Sequence, residues 1–214
     1  MLKQVLTALI VFFAAGVAQA QPTAGIEYRE LATAQPTDVP GKIEVVEFFW
    51  YGCPHCYKFE PVIEPWVKKL AKDVQFRRIP AMFNDEWAQG GRAYYALEAI
   101  GEVDRLHKAL FDAVHTGSRL QVANEAALTE WLGTQGVDTK KFAAAYRSFS
   151  VEGKLKRAAQ LVQAYKIEGV PAMAVNGKYV VNTDNIRSFE QMLAVTDHLV
   201  EQSRKQGGKA APKK

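Results

Sequence analysis

Apolar residues change period along this chain, and those changes set the expected elements. Ile43-Glu44-Val45-Val46-Glu47-Phe48-Phe49-Trp50 is almost continuously apolar, the mark of a strand covered on both faces. Cys56, Phe59, Val62, Ile63, Trp66, Val67 and Leu70 then recur at steps of three and four, which predicts a helix from Cys53 to about Lys72. Pro61 falls inside it and predicts a kink. Residues 74–79 read as a second strand, so a βαβ unit opens the domain, with a short edge strand expected at 26–31.

From 86 to 160 the strand signals vanish. Amphipathic helices are predicted at 86–100, 103–115, 124–132, 138–148 and 151–165, with Asn124 and Asp138 as N-caps. Alternation then resumes at 172–175 and 178–181 around Asn176-Gly177, a strong short hairpin signal. A last helix is predicted at 189–203, opened by a capping box of Ser188 and Gln191. The order is βαβ, a helical insertion, then ββα: one α/β domain in two parts, 21–85 and 161–203, around a helical block at 86–160.

The two ends differ from this middle. Residues 1–20 combine Lys3, an apolar run from Val5 to Val17, and Ala18-Gln19-Ala20, the pattern of a cleavable secretory signal rather than a membrane span. Residues 204–214 carry five Lys or Arg, no acid, and Gly207-Gly208 and Pro212, which predicts a disordered basic tail. The formal net charge of +4 invites a nucleic-acid partner. Yet Lys3 and the tail hold six of the 27 basic residues, so residues 21–203 keep 21 against 23 acids and are slightly acidic. No nucleic-acid partner is expected.

Two cysteines among 214 residues exclude a disulfide-stapled scaffold. Both lie in Cys53-Pro54-His55-Cys56, directly after the buried strand and opening a helix. There Cys53 meets free backbone N–H groups and the positive end of the helix dipole, which stabilise a thiolate. Pro54 fits the first turn, where a missing N–H costs nothing. His55 can add a hydrogen bond or a positive charge beside the sulfur. Cys56, one turn in, is suited to close a disulfide. A structural disulfide would gain little from so small a loop. A metal site would need more ligands than His55 and the distant His107, His115 and His198 offer, and no metal is expected. A catalytic dithiol remains the best reading. Glu47 shares a strand face with Ile43, Val45 and Phe49, so its carboxyl should be desolvated and its pKa raised.

The stretch Val46-Glu47-Phe48-Phe49, followed by Cys53-Pro54-His55-Cys56-Tyr57-Lys58-Phe59-Glu60, closely resembles the DsbA family, the periplasmic thiol:disulfide oxidoreductases of bacteria. Residues 169–179 (GVPAMAVNGKY) and Tyr146-Arg147-Ser148-Phe149 resemble it too, so the likeness spans roughly 26–203. It implies a thioredoxin fold with an inserted α-helical domain. It also implies Cys53 as nucleophile, Cys56 as buried resolving cysteine, and Pro54 and His55 as the dipeptide tuning the potential. Pro171 matches a cis-proline facing the disulfide, and Val170 would present its backbone to an extended substrate peptide. Glu47 matches a buried acid that assists proton movement at the resolving cysteine. Glu60 also matches a family acid, but a solvated helix charge is an equal reading.

The chain departs from the family at Pro61, at Arg78, where the best-known member has lysine, and at Trp50-Tyr51-Gly52. His107, His115 and His198 read as ordinary helix residues. The implied activity is donation of the Cys53–Cys56 disulfide to reduced, unfolded exported proteins, with re-oxidation by a DsbB-like quinone-linked membrane oxidase. No cofactor is required, and a monomer is expected. Two alternatives stay open: a reductase or isomerase on the same scaffold, and a peptide-binding chaperone with incidental cysteines.

Overall fold

The apolar run at 43–50 becomes β2 (Ile43–Phe49), every residue after Ile43 buried, near the centre of a five-stranded sheet. A computed structural model describes residues 21–207. The expected signal at 1–20 and residues 208–214 of the expected tail lie outside the described residues. β1 (Tyr28–Glu30) is the edge strand expected within 26–31. After β2 come α1 (Pro54–Val67) and β3 (Val74–Pro80), and β2 and β3 pair in parallel as the βαβ reading requires. β4 (Ala172–Val175) and β5 (Tyr179–Val181) form the hairpin. The sheet order is β1-β5-β4-β2-β3, antiparallel except for β2–β3.

Five helices interrupt the sheet between β3 and β4. They are α2 (Asp85–Ala99), α3 (Val103–His115), α4 (Glu125–Thr134), α5 (Thr139–Tyr146) and α6 (Phe149–Ala164). Asn124 and Asp138 cap α4 and α5 as expected, each side chain accepting backbone N–H bonds. α6 ends at Ala164, close to the end expected at 165, its last turn buried through Leu161 and Val162. The helical block packs on one face of the sheet in a core that includes Phe48, Phe49, Leu97, Phe111 and Phe142. On the other face, α7 (Phe189–Gly207) and the inner side of α1 close a second core around Val45, Phe59, Ile63, Met173, Val175 and Leu199.

Three expectations need correction. α1 stops at Val67 rather than near Lys72, because Lys68, Lys69 and Leu70 donate to Glu64 or to carbonyls three residues back, and these tighter bonds wind the helix off. Arg204–Gly207 are helical rather than part of a disordered tail. Ser203 is buried there, and Arg204 holds Asp73 through Nε at 2.6 Å and pairs with Glu201. The capping box at α7 is shifted: Ser188 accepts from the Gln191 N–H, but the Gln191 side chain returns to the N–H of Arg187.

The Asn176-Gly177 turn adopts the left-handed backbone this hairpin type demands, φ 53° and 68°. Gly177 is also pressed against the segment before β2: an added Cβ would lie 2.0 Å from the Gln35 carbonyl oxygen. Gly177→Ala is therefore expected to destabilise the fold by about 2–4 kcal/mol, from the strained φ and the backbone clash together. Urea titration would read this as a lowered midpoint, and an unchanged midpoint would show that the turn yields freely.

Candidate active site

The sequence places Cys53 where β2 has ended and α1 has not begun, and the backbone makes it the N-cap. Its φ and ψ are −82° and 116°, Pro54 opens the first turn, and the Cys53 sulfur accepts from the Cys56 N–H at 3.3 Å. The thiol is held down to about 6. The largest cause is a hydrogen bond from the Cys56 thiol; burial opposes it, and the Cys56 and His55 N–H groups and the His55 charge add to it. Cys56 goes the opposite way. Burial pushes its thiol well above the usual range, and its hydrogen bond to Cys53 and the nearby negative charge of Glu47 push it further. Cys53 keeps 7% exposure and Cys56 none, so only Cys53 can be reached from outside. The structure holds both as free thiols.

Pro54 and His55 are exposed on the helix end. Across from them the Val170–Pro171 peptide is cis, and the Val170 carbonyl accepts from the Cys53 thiol at 3.4 Å. His55, Val170 and Pro171 share one groove of about 490 Å³ with Ile186, Phe189 and Met192. The residues expected at the site thus converge: Cys53, Cys56, Pro54, His55, Val170 and Pro171 surround one partly exposed sulfur.

Glu47 lies on β2 and is fully buried, as its strand position predicts. Burial lifts its carboxyl to about 8, against the pull of Arg78. Arg78 sits opposite Glu47 in the parallel register of β3 and donates its Nε to Glu47 Oε2 at 2.9 Å. Glu47 Oε1 is buried with no hydrogen-bond partner among the described residues. The Arg78 Nη2 reaches the other way, to both oxygens of Glu60 at 3.3 and 3.2 Å.

Here the structure goes beyond the sequence reading. Glu60 is buried rather than solvated, one turn past Cys56 on α1. Burial raises its carboxyl, but the hydrogen bond of His107 and the charge and hydrogen bonds of Arg78 more than offset that and hold it below its usual range. His107 is not an ordinary helix residue: it is buried, with Nε2 3.2 Å from Glu60 Oε1 and Nδ1 2.9 Å from the Tyr51 hydroxyl. His115, two turns on, places Nε2 2.8 Å from the Tyr51 carbonyl oxygen and stacks on Tyr57. Both histidines of α3 therefore grip the residue two before Cys53. No local signal in the sequence marks this, since Glu60 and Tyr51 lie 47 and 56 residues from His107.

Trp50-Tyr51-Gly52 also finds its reason. Trp50 stacks flat on Trp87 at 4.1 Å, and a Cβ on Gly52 would come within 2.4 Å of the Trp50 ring, so only glycine lets the indole lie there. No group of three or more His, Cys, Asp or Glu able to hold a metal ion occurs among the described residues. No described helix is long and apolar enough to cross a membrane.

A dithiol whose outer sulfur ionises easily, and whose inner sulfur stays protonated within reach of the charge of a buried carboxyl, is built for thiol–disulfide exchange. The chain as a whole is similar to known proteins. A family profile described as "DSBA-like thioredoxin domain" matches residues 67–194. The thiol:disulfide interchange protein DsbA of Pseudomonas aeruginosa is 44% identical over 182 residues, covering 85% of this chain and 86% of that protein. That of Burkholderia cepacia is 42% identical over 207 residues, covering 94% and 97%. Among solved structures, Pseudomonas aeruginosa DsbA superposes with a TM-score of 0.83 at 43% identity, covering 87% of this chain and 97% of its own. Oxidoreductase DsbA from Xylella fastidiosa gives 0.82 at 34% identity, covering 87% and 100%.

Proposed function

The chain belongs to the DsbA family of thiol:disulfide interchange proteins, and we propose that it works as a disulfide donor through Cys53 and Cys56. Thiol–disulfide interchange with substrate proteins is the activity; its direction and site residues are the proposal. A substrate thiolate attacks the Cys53 sulfur of the Cys53–Cys56 disulfide, forming a substrate–Cys53 bond and releasing Cys56 as a thiolate. Cys56 takes a proton from Glu47, which the burial of that carboxyl keeps protonated near neutral pH. A second substrate thiolate then attacks the substrate sulfur of the mixed disulfide, the substrate leaves oxidised, and Cys53 departs as a thiolate. Two electrons have moved from the substrate dithiol to the enzyme.

The observation that carries the direction is the contrast between the two sulfurs. Cys53 is a good leaving group because its thiolate is stabilised, so the reduced enzyme is favoured and its disulfide is readily given up. Val170 and Pro171, beside Cys53 and along the groove lined by Phe189 and Met192, support docking of an extended substrate segment. The leader pattern at 1–20 supports export to the periplasm, where the substrates would be reduced, unfolded exported proteins. Re-oxidation there by a DsbB-like quinone-linked membrane oxidase, with no bound cofactor, completes the cycle. We read 21–85 and 161–203 as the thioredoxin-fold parts and 86–160 as the inserted helical domain.

Equilibration with glutathione tests the direction. The expected result is a dithiol form that dominates under conditions where ordinary protein disulfides persist. A potential near that of thioredoxin, about −270 mV, would overturn the donor reading and favour a reductase.

A further inference from the structure

Glu47 and Glu60 are buried, and the guanidinium of the partly buried Arg78 stands between their two carboxyl groups. Two buried carboxylates on one arginine would leave an uncompensated negative charge, so the group holds one proton more economically than none. Which carboxyl holds it is decided by donors. Glu60 receives Arg78 Nη2 on both oxygens and His107 Nε2 on Oε1. Glu47 receives only Arg78 Nε, on Oε2.

The direction of the His107 bond follows from Tyr51. The Tyr51 hydroxyl is buried 2.9 Å from His107 Nδ1. Among the described residues Nδ1 is the one acceptor that the buried Tyr51 hydroxyl reaches, so leaving its O–H paired makes Nδ1 the acceptor and puts the ring proton on Nε2, facing Glu60. Burial lowers the His107 pKa and keeps the ring neutral in this tautomer. The charged and titratable groups around it are Glu60 and Glu64 on α1, Arg78 on β3, Tyr94 on α2 and Tyr51 before α1. Phe49 and Phe111 pack edge-on to the ring, 5.1 Å away each.

We propose that His107 is a positioning residue: by donating to Glu60 it keeps that carboxyl ionised and so assigns the shared proton to Glu47, the acid whose charge acts on Cys56. The Tyr51 hydroxyl locks the tautomer that makes this donation. The inserted helical domain thereby sets the protonation of the dithiol site without touching substrate. This rests on the reading of Glu47 as proton source for Cys56.

Infrared difference spectroscopy during a pH titration of the reduced protein detects a buried protonated carboxyl directly. In the wild type the band is expected to titrate near pH 8, to vanish in Glu47→Gln and to persist in Glu60→Gln. In His107→Leu the Glu47 midpoint is expected to fall by at least about one pH unit, and the remaining band to become sensitive to Glu60→Gln. His107→Gln, whose amide can accept from Tyr51 and donate to Glu60, is expected to restore the wild-type pattern. Tyr51→Phe keeps the packing and frees the tautomer, so part of the band should pass to Glu60; this variant decides the matter if His107→Leu does not fold. A Glu47 midpoint unmoved in the folded variants would overturn the role of His107. Absence of any Glu47 band in the wild type would instead overturn the reading of Glu47 as proton source.

Discussion

Cys53→Ser is expected to abolish disulfide transfer to a dithiol peptide, a loss of roughly a thousandfold or more, because a hydroxyl can form no disulfide bond. Cys56→Ser should fail differently. Cys53 is the sulfur that opens to solvent and the one whose thiolate is stabilised, whereas Cys56 is fully buried with its thiol raised. With Cys53 alone, its thiolate attacks oxidised glutathione, forming a Cys53–glutathione disulfide and releasing one glutathione thiolate, and no neighbouring thiol displaces the glutathione that stays bound. The mixed disulfide should accumulate as an adduct visible in the intact-protein mass. The asymmetry is the content of this prediction. Adducts on Cys56 in Cys53→Ser would mean that the buried sulfur is accessible and the assigned roles are reversed. Retained promotion of disulfide formation by Cys53→Ser would favour a peptide-binding chaperone with incidental cysteines.

What could be read from the sequence, and what could not, divides along the range of the interactions. Cys53, Pro54, His55 and Cys56 are contiguous, and their chemistry follows from the strand before them and the helix after them. Glu47 was legible for the same reason: it lies inside an apolar run that marks a strand covered on both faces, where even Glu44 on the other face is buried. Pro171 needed the family pattern, since nothing local brings it opposite Cys53; the crossing of β4 beside β2 does that. Glu60 was ambiguous because a charge on a helix is normally solvated, and only Arg78 from β3 and His107 from α3 make its burial tolerable. His107 lies 47 residues from its partner Glu60, beyond any periodicity argument. The same limit explains Arg204, assigned to a tail on composition until its pairing with Asp73, 131 residues away, carried α7 on to Gly207.

The stability of the reduced protein relative to the oxidised one should rise with pH between about 6 and 9.0, by at most about 4 kcal/mol in all and less once solvent screening at the half-open sulfur is counted. The folded Cys53 thiol has a pKa of about 6 against an unfolded value of 9.0. In that window the unfolded chain therefore binds a proton that the folded chain has released, and unfolding free energy climbs by about 1.4 kcal/mol per pH unit. The contribution is complete above 9.0 and is lost as pH falls through about 6. Cys56, raised above its unfolded value, stays protonated across the window and adds no slope there. Glu47 acts in the opposite sense. Its folded value of about 8 lies above the unfolded 4.5, so the native state holds the extra proton and stability falls with pH between these values. The burial and the Arg78 pairing behind that loss do not depend on the disulfide, so it largely cancels in the difference, less the part that the Cys53 charge adds in the open form; the Cys53 contribution itself exists only when the disulfide is open. Urea titrations of both forms from pH 5 to 9 would measure it. Because folding and redox equilibria close one thermodynamic cycle, each 1.4 kcal/mol of extra stability in the dithiol form makes the disulfide more oxidising by about 30 mV, so at pH 7, about one unit above the Cys53 value, the gain is about 30 mV. A stability difference independent of pH would show that Cys53 is an ordinary thiol, and the oxidising power would then need another source.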